Sequence, residues 1–233
     1  MKDVAVSVFG REEVLPEIGA PWALDALLSG DGAWEVEIGF GKGRYLLHRA
    51  EEQSHLRFMG IEMAAAYYRL ARQRMQRRSL TNLALVRGEA LYVLAAVLLP
   101  GFASAVHVYF PDPWPKIRHQ KRRLFDPETV DLVLGLLRPG GLLFFATDHL
   151  DYGSAVQSIL ESHPSTDVAV LPGLWPDGAR TNYEMKYETE GRSILRLQVT
   201  WRPGAEPAPL HPLGAPGIVA ATCGRLADWD PPA

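Results

Sequence analysis

The most informative absences in this sequence are those of cysteine and of long apolar runs. Cys223 is the only cysteine among the 233 residues, so an intramolecular disulfide and a cysteine-based metal cluster are both excluded. No apolar run is long enough to span a bilayer, and the first residues do not follow the pattern of a signal peptide. The histidines His48, His107, His149 and His163 are not spaced as metal ligands. We therefore expect a cytoplasmic protein that uses neither a membrane nor a metal.

Acidic and basic side chains are distributed unevenly along the chain. The formal net charge is −3, but residues 1–41 carry a net charge of −6 and residues 42–88 a net charge of +7. Binding of a polyanion depends on the local potential more than on the total charge. The mildly acidic composition therefore leaves nucleic acid open as a partner.

Strand-like and helix-like segments alternate from Trp34 to His163. Strands are predicted over 34–38, 58–62, 83–86, 105–110 and 142–147, and helices over 22–28, 64–78, 91–99, 126–137 and 151–162. Such alternation predicts an α/β protein with a doubly wound, mostly parallel sheet. Residues 193–201 alternate apolar and polar side chains, which predicts a closing antiparallel strand. The predicted organisation is a lead-in over 1–33, one domain over 34–201 and a Pro/Gly/Ala-rich tail over 202–233.

Acidic residues recur where the predicted strands end. They are Glu37, Glu62, Glu89, Asp112 and Asp148, each at or just after the carboxyl end of one strand. Open α/β sheets bind their ligands at this edge. A chance alignment of five acids is much less probable than one chance acid, so the pattern predicts a binding site there.

A glycine turn follows the first of these strands and precedes a helical pattern. Its glycines are Gly39, Gly41 and Gly43, which let the backbone approach a ligand closely. The spacing differs from the G-x-G-x-x-G of dinucleotide folds. Glu37, two residues before the turn, would repel a pyrophosphate and attract a sulfonium amino acid, so S-adenosylmethionine fits better than NAD. A purely structural strand-to-helix turn remains the alternative.

The most unusual stretch runs from Val108 to Arg123. Three prolines within five residues end the strand, because each lacks an N–H, and they enclose Asp112 and Trp114. The basic side chains that follow are Lys116, Arg118, Lys121, Arg122 and Arg123. A stiff loop with an acid, an aromatic ring and a cationic run suits a flat base on an anionic backbone. The alternative is a proline-rich turn beside a solvated basic face.

These residues resemble those of the bacterial tRNA (guanine-N7)-methyltransferases, over about Trp34 to Trp201. The matching segments are 37–43, 60–62, 110–116 with the basic run after it, 147–148 and 180–184. The resemblance implies a Rossmann-like methyltransferase fold, S-adenosylmethionine as cofactor and tRNA as partner. The implied product is 7-methylguanosine in the tRNA variable loop, at position 46. We expect a monomer or a homodimer.

The resemblance also implies roles for single residues. Beside the glycines of the turn, the implied cofactor-binding residues are Glu37, Glu62, Glu89 and Asp112. The implied tRNA-contacting residues are Lys116, Asp148, Thr181, Asn182, Tyr183 and Glu184. Two positions depart from the family pattern, since Glu89 stands where Asp is usual and Asn182 where Lys is frequent.

The expected chemistry needs no general base. Guanine N7 has a lone pair and no proton, so catalysis should rest on positioning and on charge. Asp112 is the first candidate for a carboxylate that stabilises the methylated purine, and Asp148 is the second. Trp114 either stacks on the base or only shapes its loop, while Arg118, Lys121 and Arg122 would hold phosphates. The rival functions are a nicotinamide-dependent dehydrogenase and a non-catalytic RNA-binding protein.

Overall fold

The structure, a computed structural model, describes residues 5–14, 24–96, 98–127 and 129–204. Its strands are β1 (Ala5–Val8), β2 (Arg11–Val14), β3 (Trp34–Ile38), β4 (Arg57–Glu62), β5 (Leu83–Arg87), β6 (Ala103–Tyr109), β7 (Leu137–Thr147), β8 (Thr166–Val170) and β9 (Leu195–Trp201). Its helices are α1 (Leu24–Leu27), α2 (Arg44–Glu52), α3 (Ala65–Arg77), α4 (Ala90–Ala96), α5 (Val130–Leu134), α6 (Leu150–Ser162) and α7 (Asn182–Thr189), with a 3₁₀ helix over Ile117–Arg122. The predicted tail lies almost entirely outside the described residues.

The described strands form one sheet in the order β2-β1-β5-β4-β3-β6-β7-β9-β8. The five central strands, from β5 to β7, pair in parallel. β9 pairs antiparallel with β7, and β8 pairs antiparallel with β9. The predicted parallel sheet with a closing antiparallel strand is therefore confirmed. Helices join the parallel strands, as crossover connections require.

The two faces of the sheet differ in chemistry because side chains alternate along each strand. Val36 and Ile38 of β3 belong to the large apolar cluster that α1, α4, α5 and α6 cover. On the other face, α2 and α3 cover β4 and β5 with a smaller apolar cluster. On β3 and β6, this second face of the sheet carries buried polar side chains, among them Glu35, Glu37 and His107. The candidate site lies where this polar face reaches the carboxyl edge of the sheet.

Several elements differ from the sequence-based predictions. The lead-in contributes a hairpin, β1 and β2, whose first strand extends the sheet by antiparallel pairing with β5. The helix predicted over 126–137 is wrong in length: α5 starts at Val130 because Asp126 Oδ1 accepts the Thr129 N–H at 3.0 Å and forms a turn first. Leu137 already belongs to β7. The strand β8, the helix α7 and the 3₁₀ helix were not predicted.

None of the helices in the described ranges combines the length and the apolar character that a membrane crossing requires.

Candidate active site

The glycine turn after β3 leaves open space at the edge of the sheet. Gly39, Gly41 and Gly43 have φ angles of 75°, 52° and 70°, which side chains rarely allow. A Cβ at Gly39 or Gly41 would meet no atom within 4 Å, so a ligand can approach the backbone there. A Cβ at Gly43 would lie 3.2 Å from the Cβ of Ala71, so this glycine allows α2 to pack closely on α3.

Glu62, the last residue of β4, ties the glycine turn to the end of its strand. Its Oε2 accepts the Gly41 N–H at 2.8 Å, and its Oε1 accepts the Ala64 N–H at 2.8 Å. Burial raises the pKa of Glu62, although these backbone hydrogen bonds oppose the shift. A carboxylate has about four acceptor sites, so Glu62 can still accept hydroxyl donors from a ligand.

Glu37 is buried beneath the glycine turn with one oxygen unpaired. The residue is only 3% exposed, and no described residue forms a hydrogen bond to its Oε2. Burial raises the pKa of Glu37 to about 8, against the lowering effect of a hydrogen bond from the Leu46 backbone. An unpaired buried carboxylate oxygen is unfavourable. A cationic donor group at this position would satisfy it.

Glu89 caps a helix rather than pointing freely into the site. Its Oε1 accepts the Leu91 N–H at 3.1 Å and its Oε2 accepts the Tyr92 N–H at 2.7 Å, both in the first turn of α4. This is the position at which a carboxylate stabilises a helix N-terminus. The structure therefore gives Glu89 a capping role, and any cofactor contact would use its remaining acceptor capacity.

Asp112 lies in a strained loop directly after β6. The aromatic residues on both sides have left-handed backbones, with φ of 52° at Phe110 and 40° at Trp114. Bulky residues rarely adopt this conformation, and it occurs preferentially at functional sites. Arg123 Nε donates to the Pro113 carbonyl at 2.8 Å and holds the loop in this shape. Asp112 is exposed as a residue, and its carboxylate forms no hydrogen bond to any described residue. Nearby protein atoms still desolvate the carboxylate enough to raise its pKa.

The basic run after this loop forms the 3₁₀ helix. Lys116 and Arg118 are exposed to solvent at its start. The Arg122 guanidinium lies 5.1 Å from the ring centroid of Trp114, and the ring of His119 contacts the same indole edge-on at 5.8 Å. Trp114 thus packs against its own loop, which favours the loop-shaping role over a free stacking surface. The side chain of Lys121 lies outside the described part of the structure.

Asp148 follows β7 and is paired with a cation. Its Oδ2 accepts a hydrogen bond from Arg192 Nη1 at 3.1 Å. The guanidinium of Arg192 also lies 4.3 Å from the ring centroid of Tyr187. Asp148 is therefore less available than Asp112 to stabilise a new positive charge.

The segment 181–184 starts α7, and only some of its side chains are exposed. Asn182 and Tyr183 are exposed, and the ring of Tyr183 lies 6.2 Å from that of Phe110. Thr181 is the N-cap, since its Oγ1 accepts the Glu184 N–H at 3.0 Å. Glu184 is fully buried and binds Arg196 Nε at 2.7 Å. The direct tRNA contact implied for Glu184 does not agree with this internal position.

Sequence reasoning missed a group of buried polar side chains beneath this segment. Arg180, Tyr109, His107 and Glu35 are joined by hydrogen bonds across β3, β6 and the loop before α7. The alternation of β3 and β6 could have placed Glu35, His107 and Tyr109 on one face. No local signal connects them to Arg180, which is 71 residues from Tyr109. In the described ranges, no group of three or more His, Cys, Asp or Glu side chains could hold a metal ion.

Solved structures share this fold at low sequence identity. The antibiotic-resistance methyltransferase Kmr has a TM-score of 0.57 at 16% identity, over 87% of this chain and 100% of the other. A 16S rRNA (adenine(1408)-N(1))-methyltransferase mutant from Catenulisporales acidiphilia, solved with its cosubstrate SAM, has a TM-score of 0.58 at 18% identity, over 88% of this chain and 99% of the other. The fold is thus the Rossmann-like fold of methyltransferases, as expected.

Sequence comparison identifies closer relatives. The family described as "Putative methyltransferase" matches residues 32–197. The tRNA (guanine-N(7)-)-methyltransferase of Treponema pallidum is 38% identical over 70% of this chain, which spans 64% of that relative's length. Proteins of the same description are 33% identical in Nitrosococcus oceani, over 76% of this chain and 75% of the relative, and 34% identical in Leifsonia xyli, over 80% and 86%. By this identity and coverage, together with the glycine turn and the strand-end acids, the chain belongs to the bacterial tRNA (guanine-N7)-methyltransferase family.

Proposed function

We propose that this protein transfers the methyl group of S-adenosylmethionine to N7 of a guanosine in tRNA. The observation that carries the proposal is the unpaired, buried Oε2 of Glu37 beside the open glycine turn. That arrangement suits a cationic ligand and would be unfavourable for a pyrophosphate. The family of the chain supports the tRNA substrate.

The residues at the sheet edge fit this cofactor. Glu37 and the turn from Gly39 to Gly41 would hold its charged amino-acid part. Glu62 would accept the ribose hydroxyls with the acceptor capacity that its two backbone hydrogen bonds leave. When bound, S-adenosylmethionine supplies an electrophilic methyl group on a sulfonium.

Asp112 is the residue that this chain offers for the chemical step. The N7 lone pair of guanine is the nucleophile, so no side chain has to remove a proton. Methylation makes the purine cationic and its N1–H more acidic. The exposed, unengaged carboxylate of Asp112 can accept from the N1–H and the 2-amino group and stabilise that charge. The strained loop fixes its position in advance.

We place the target guanosine in the variable loop, at position 46, on the strength of the family resemblance. Exposed cations at the start of the 3₁₀ helix, Lys116 and Arg118, would bind the phosphates around it. With tRNA as the substrate, the enzyme would act in the cytoplasm.

The test is incubation of the purified protein with unmodified tRNA and S-adenosylmethionine carrying a labelled methyl group. Nucleoside analysis should show labelled 7-methylguanosine, and borohydride reduction with aniline cleavage should cut the product at position 46. Label in another nucleoside would overturn the assignment to N7. Binding of tRNA without methyl transfer would make the protein an RNA-binding module, and binding of NAD in place of S-adenosylmethionine would favour a dehydrogenase.

A further inference from the structure

We propose that Arg180 is a positioning residue for the tRNA-contacting segment 181–183, and that a one-directional hydrogen-bond chain ending at Glu35 holds it in place. The proposal deepens the proposed function and rests on it for the identity of the substrate. The chain of hydrogen bonds itself rests only on the geometry of the protein.

Aromatic rings and an acid fix the guanidinium of Arg180. Its Cζ lies 4.5 Å from the ring centroid of Trp175 and 4.7 Å from that of Phe144. Its Nε donates to Asp177 Oδ1 at 3.0 Å, and its Nη1 donates to the hydroxyl of Tyr109 at 2.7 Å. A planar cation between rings and two acceptors has little rotational freedom.

The direction of the chain follows from what each group can donate. Arginine only donates, so the Tyr109 hydroxyl accepts from Arg180. Tyr109 is buried, and its own proton has an acceptor in Nδ1 of His107 at 2.9 Å. Nδ1 of His107 is therefore unprotonated, and the ring proton sits on Nε2. Burial lowers the pKa of His107, which agrees with a neutral ring.

The hydrogen-bond chain ends at the carboxylate of Glu35, which Arg49 also binds. His107 Nε2 lies 3.2 Å from Glu35 Oε2 and donates to it. Arg49 of α2 binds both oxygens of Glu35, at 3.0 and 2.9 Å. The ring of His107 is stacked on that of Phe144 at 5.1 Å, which fixes its plane. Every hydrogen bond in the chain thus points from the loop before α7 toward the centre of the sheet.

Arg180 transmits this position to the segment that follows it. Its backbone N–H donates to Glu184 Oε2 at 2.7 Å, and the next residue, Thr181, is the N-cap of α7. Glu184 is held in turn by Arg196 of β9. The segment therefore has two attachments, one through the Arg180 side chain to β6 and one through Glu184 to β9. The guanidinium also stabilises the charged form of Glu37, so it lies within electrostatic reach of the cofactor acid.

The first experiment tests the hydrogen-bond chain without reference to activity. Nitrogen-15 NMR of histidine-labelled protein should show His107 neutral at pH 7, with the proton on Nε2. In Tyr109→Phe the Nδ1 resonance should move toward the value of an acceptor without a partner. A proton on Nδ1, or a protonated ring, would overturn the proposed direction.

The second experiment tests the positioning role in the intact protein. Tyr109→Phe should raise the tRNA dissociation constant about five- to tenfold, the effect of losing one buried hydrogen bond, and leave that of S-adenosylmethionine within twofold. Arg180→Lys keeps the charge but loses the planar fork, so it should show a similar loss. The matched control is Tyr68→Phe, which removes another buried tyrosine hydroxyl, 2.6 Å from Ser7 Oγ. In this control the tRNA affinity should stay unchanged, although the melting temperature should fall by about as much as in Tyr109→Phe.

The outcomes separate the two proposals. Unchanged tRNA affinity in Tyr109→Phe, or an equal loss in Tyr68→Phe, would overturn the positioning role even if the wild type methylates tRNA. A wild type that binds tRNA but forms no 7-methylguanosine would contradict the proposed function alone.

Discussion

Two glutamates on one strand show how strongly the surroundings of a residue decide its chemistry. Glu35 and Glu37 are both buried on the same face of β3. Burial would raise the pKa of Glu35, but hydrogen bonds from His107 and Arg49 outweigh it and lower the pKa to about 2. At Glu37 burial outweighs the hydrogen bond from the Leu46 backbone and the charge of Arg180, and it raises the pKa to about 8. The first is a structural anchor, whereas we propose that the second binds the cationic part of the cofactor.

The raised pKa of Glu37 predicts that cofactor affinity depends on pH. Below about pH 8 the free protein holds a proton on Glu37, and a cationic ligand must displace it. The affinity for S-adenosylmethionine should therefore rise with pH between 6 and 7.5, by up to about tenfold per unit. Calorimetry in buffers of different ionisation enthalpy measures both the affinity and the released proton. Glu37→Gln should bind more weakly, without this proton release; an equal release in the variant would contradict the assignment.

Asp112 permits a clean test of the chemical step. Asp112→Asn should lower kcat about ten- to a hundredfold, since it removes a charge-assisted hydrogen bond. Melting temperature should stay within about a degree, because the carboxylate has no partner among the described residues. Asp148→Asn is the comparison, and its smaller expected effect follows from its pairing with Arg192. Wild-type kcat in Asp112→Asn, measured under saturating tRNA, would exclude the proposed role.

At the scale of single elements, the loop after β6 and the 3₁₀ helix act as one unit. The loop brings Asp112 to the sheet edge, and Arg123 and Arg122 fold the basic run back onto it. Some of the cations that the sequence offers for phosphate binding are therefore already used inside the protein. Lys116 and Arg118 remain exposed and are the better candidates.

The double variant Lys116→Ala/Arg118→Ala should reduce the salt dependence of tRNA binding. Each lost phosphate contact lowers the slope of log K against log salt by roughly 0.7–0.9, so we expect a decrease of about 1.5. Filter binding at salt concentrations from about 50 to about 300 mM measures this slope. Arg138→Ala, an exposed arginine on β7, serves as control. A slope equal to that of the wild type would identify this run as a solvated surface.

The elements that the sequence predicts well are those whose pattern is local. β4, β5, β6 and residues 142–147 of β7 are mainly apolar runs with turn residues at their ends, whereas β3 and β9 were found from the alternation of apolar and polar side chains. β8 was missed because exposed side chains make up most of its length. The helix α7 was missed because its apolar side chains do not follow one face, and its stability comes from the Thr181 cap and from Glu184. Positive φ at Phe110 and Trp114 has no sequence signal, because neither residue favours it.

At the scale of the whole molecule, acids at strand ends were predictable and their partners were not. Parallel strands bring their carboxyl ends to one edge, so the order of elements alone placed Glu37, Glu62 and Asp112 together. Whether a given acid stays free depends on contacts between distant segments. Glu89 is occupied by α4, and Glu184 is occupied by Arg196 of β9. Those assignments required the structure.

The depressed pKa of Glu35 predicts how global stability responds to acid. A carboxylate with a folded-state pKa of about 2 and an unfolded-state pKa of about 4.5 stabilises the protein above pH 4.5. This contribution is lost as the pH falls from about 4.5 to about 2 and amounts to about 3 kcal/mol. Glu35→Gln should be less stable than the wild type at pH 7, with a difference that shrinks toward pH 3. Urea unfolding at several pH values checks this, and a constant difference would refute it.

The segment 171–181, which covers the polar face of the sheet, has a consequence for local unfolding. Trp175 and Leu171 supply most of its apolar packing, whereas the helices on the opposite face share the large apolar cluster. Regions with few buried apolar contacts open at a lower free energy than the core. Amide hydrogens of residues 172–178 should thus exchange with solvent well before those of α6. If this segment closes over bound tRNA, adding tRNA should slow that exchange. It should also protect the segment from cleavage in limited proteolysis.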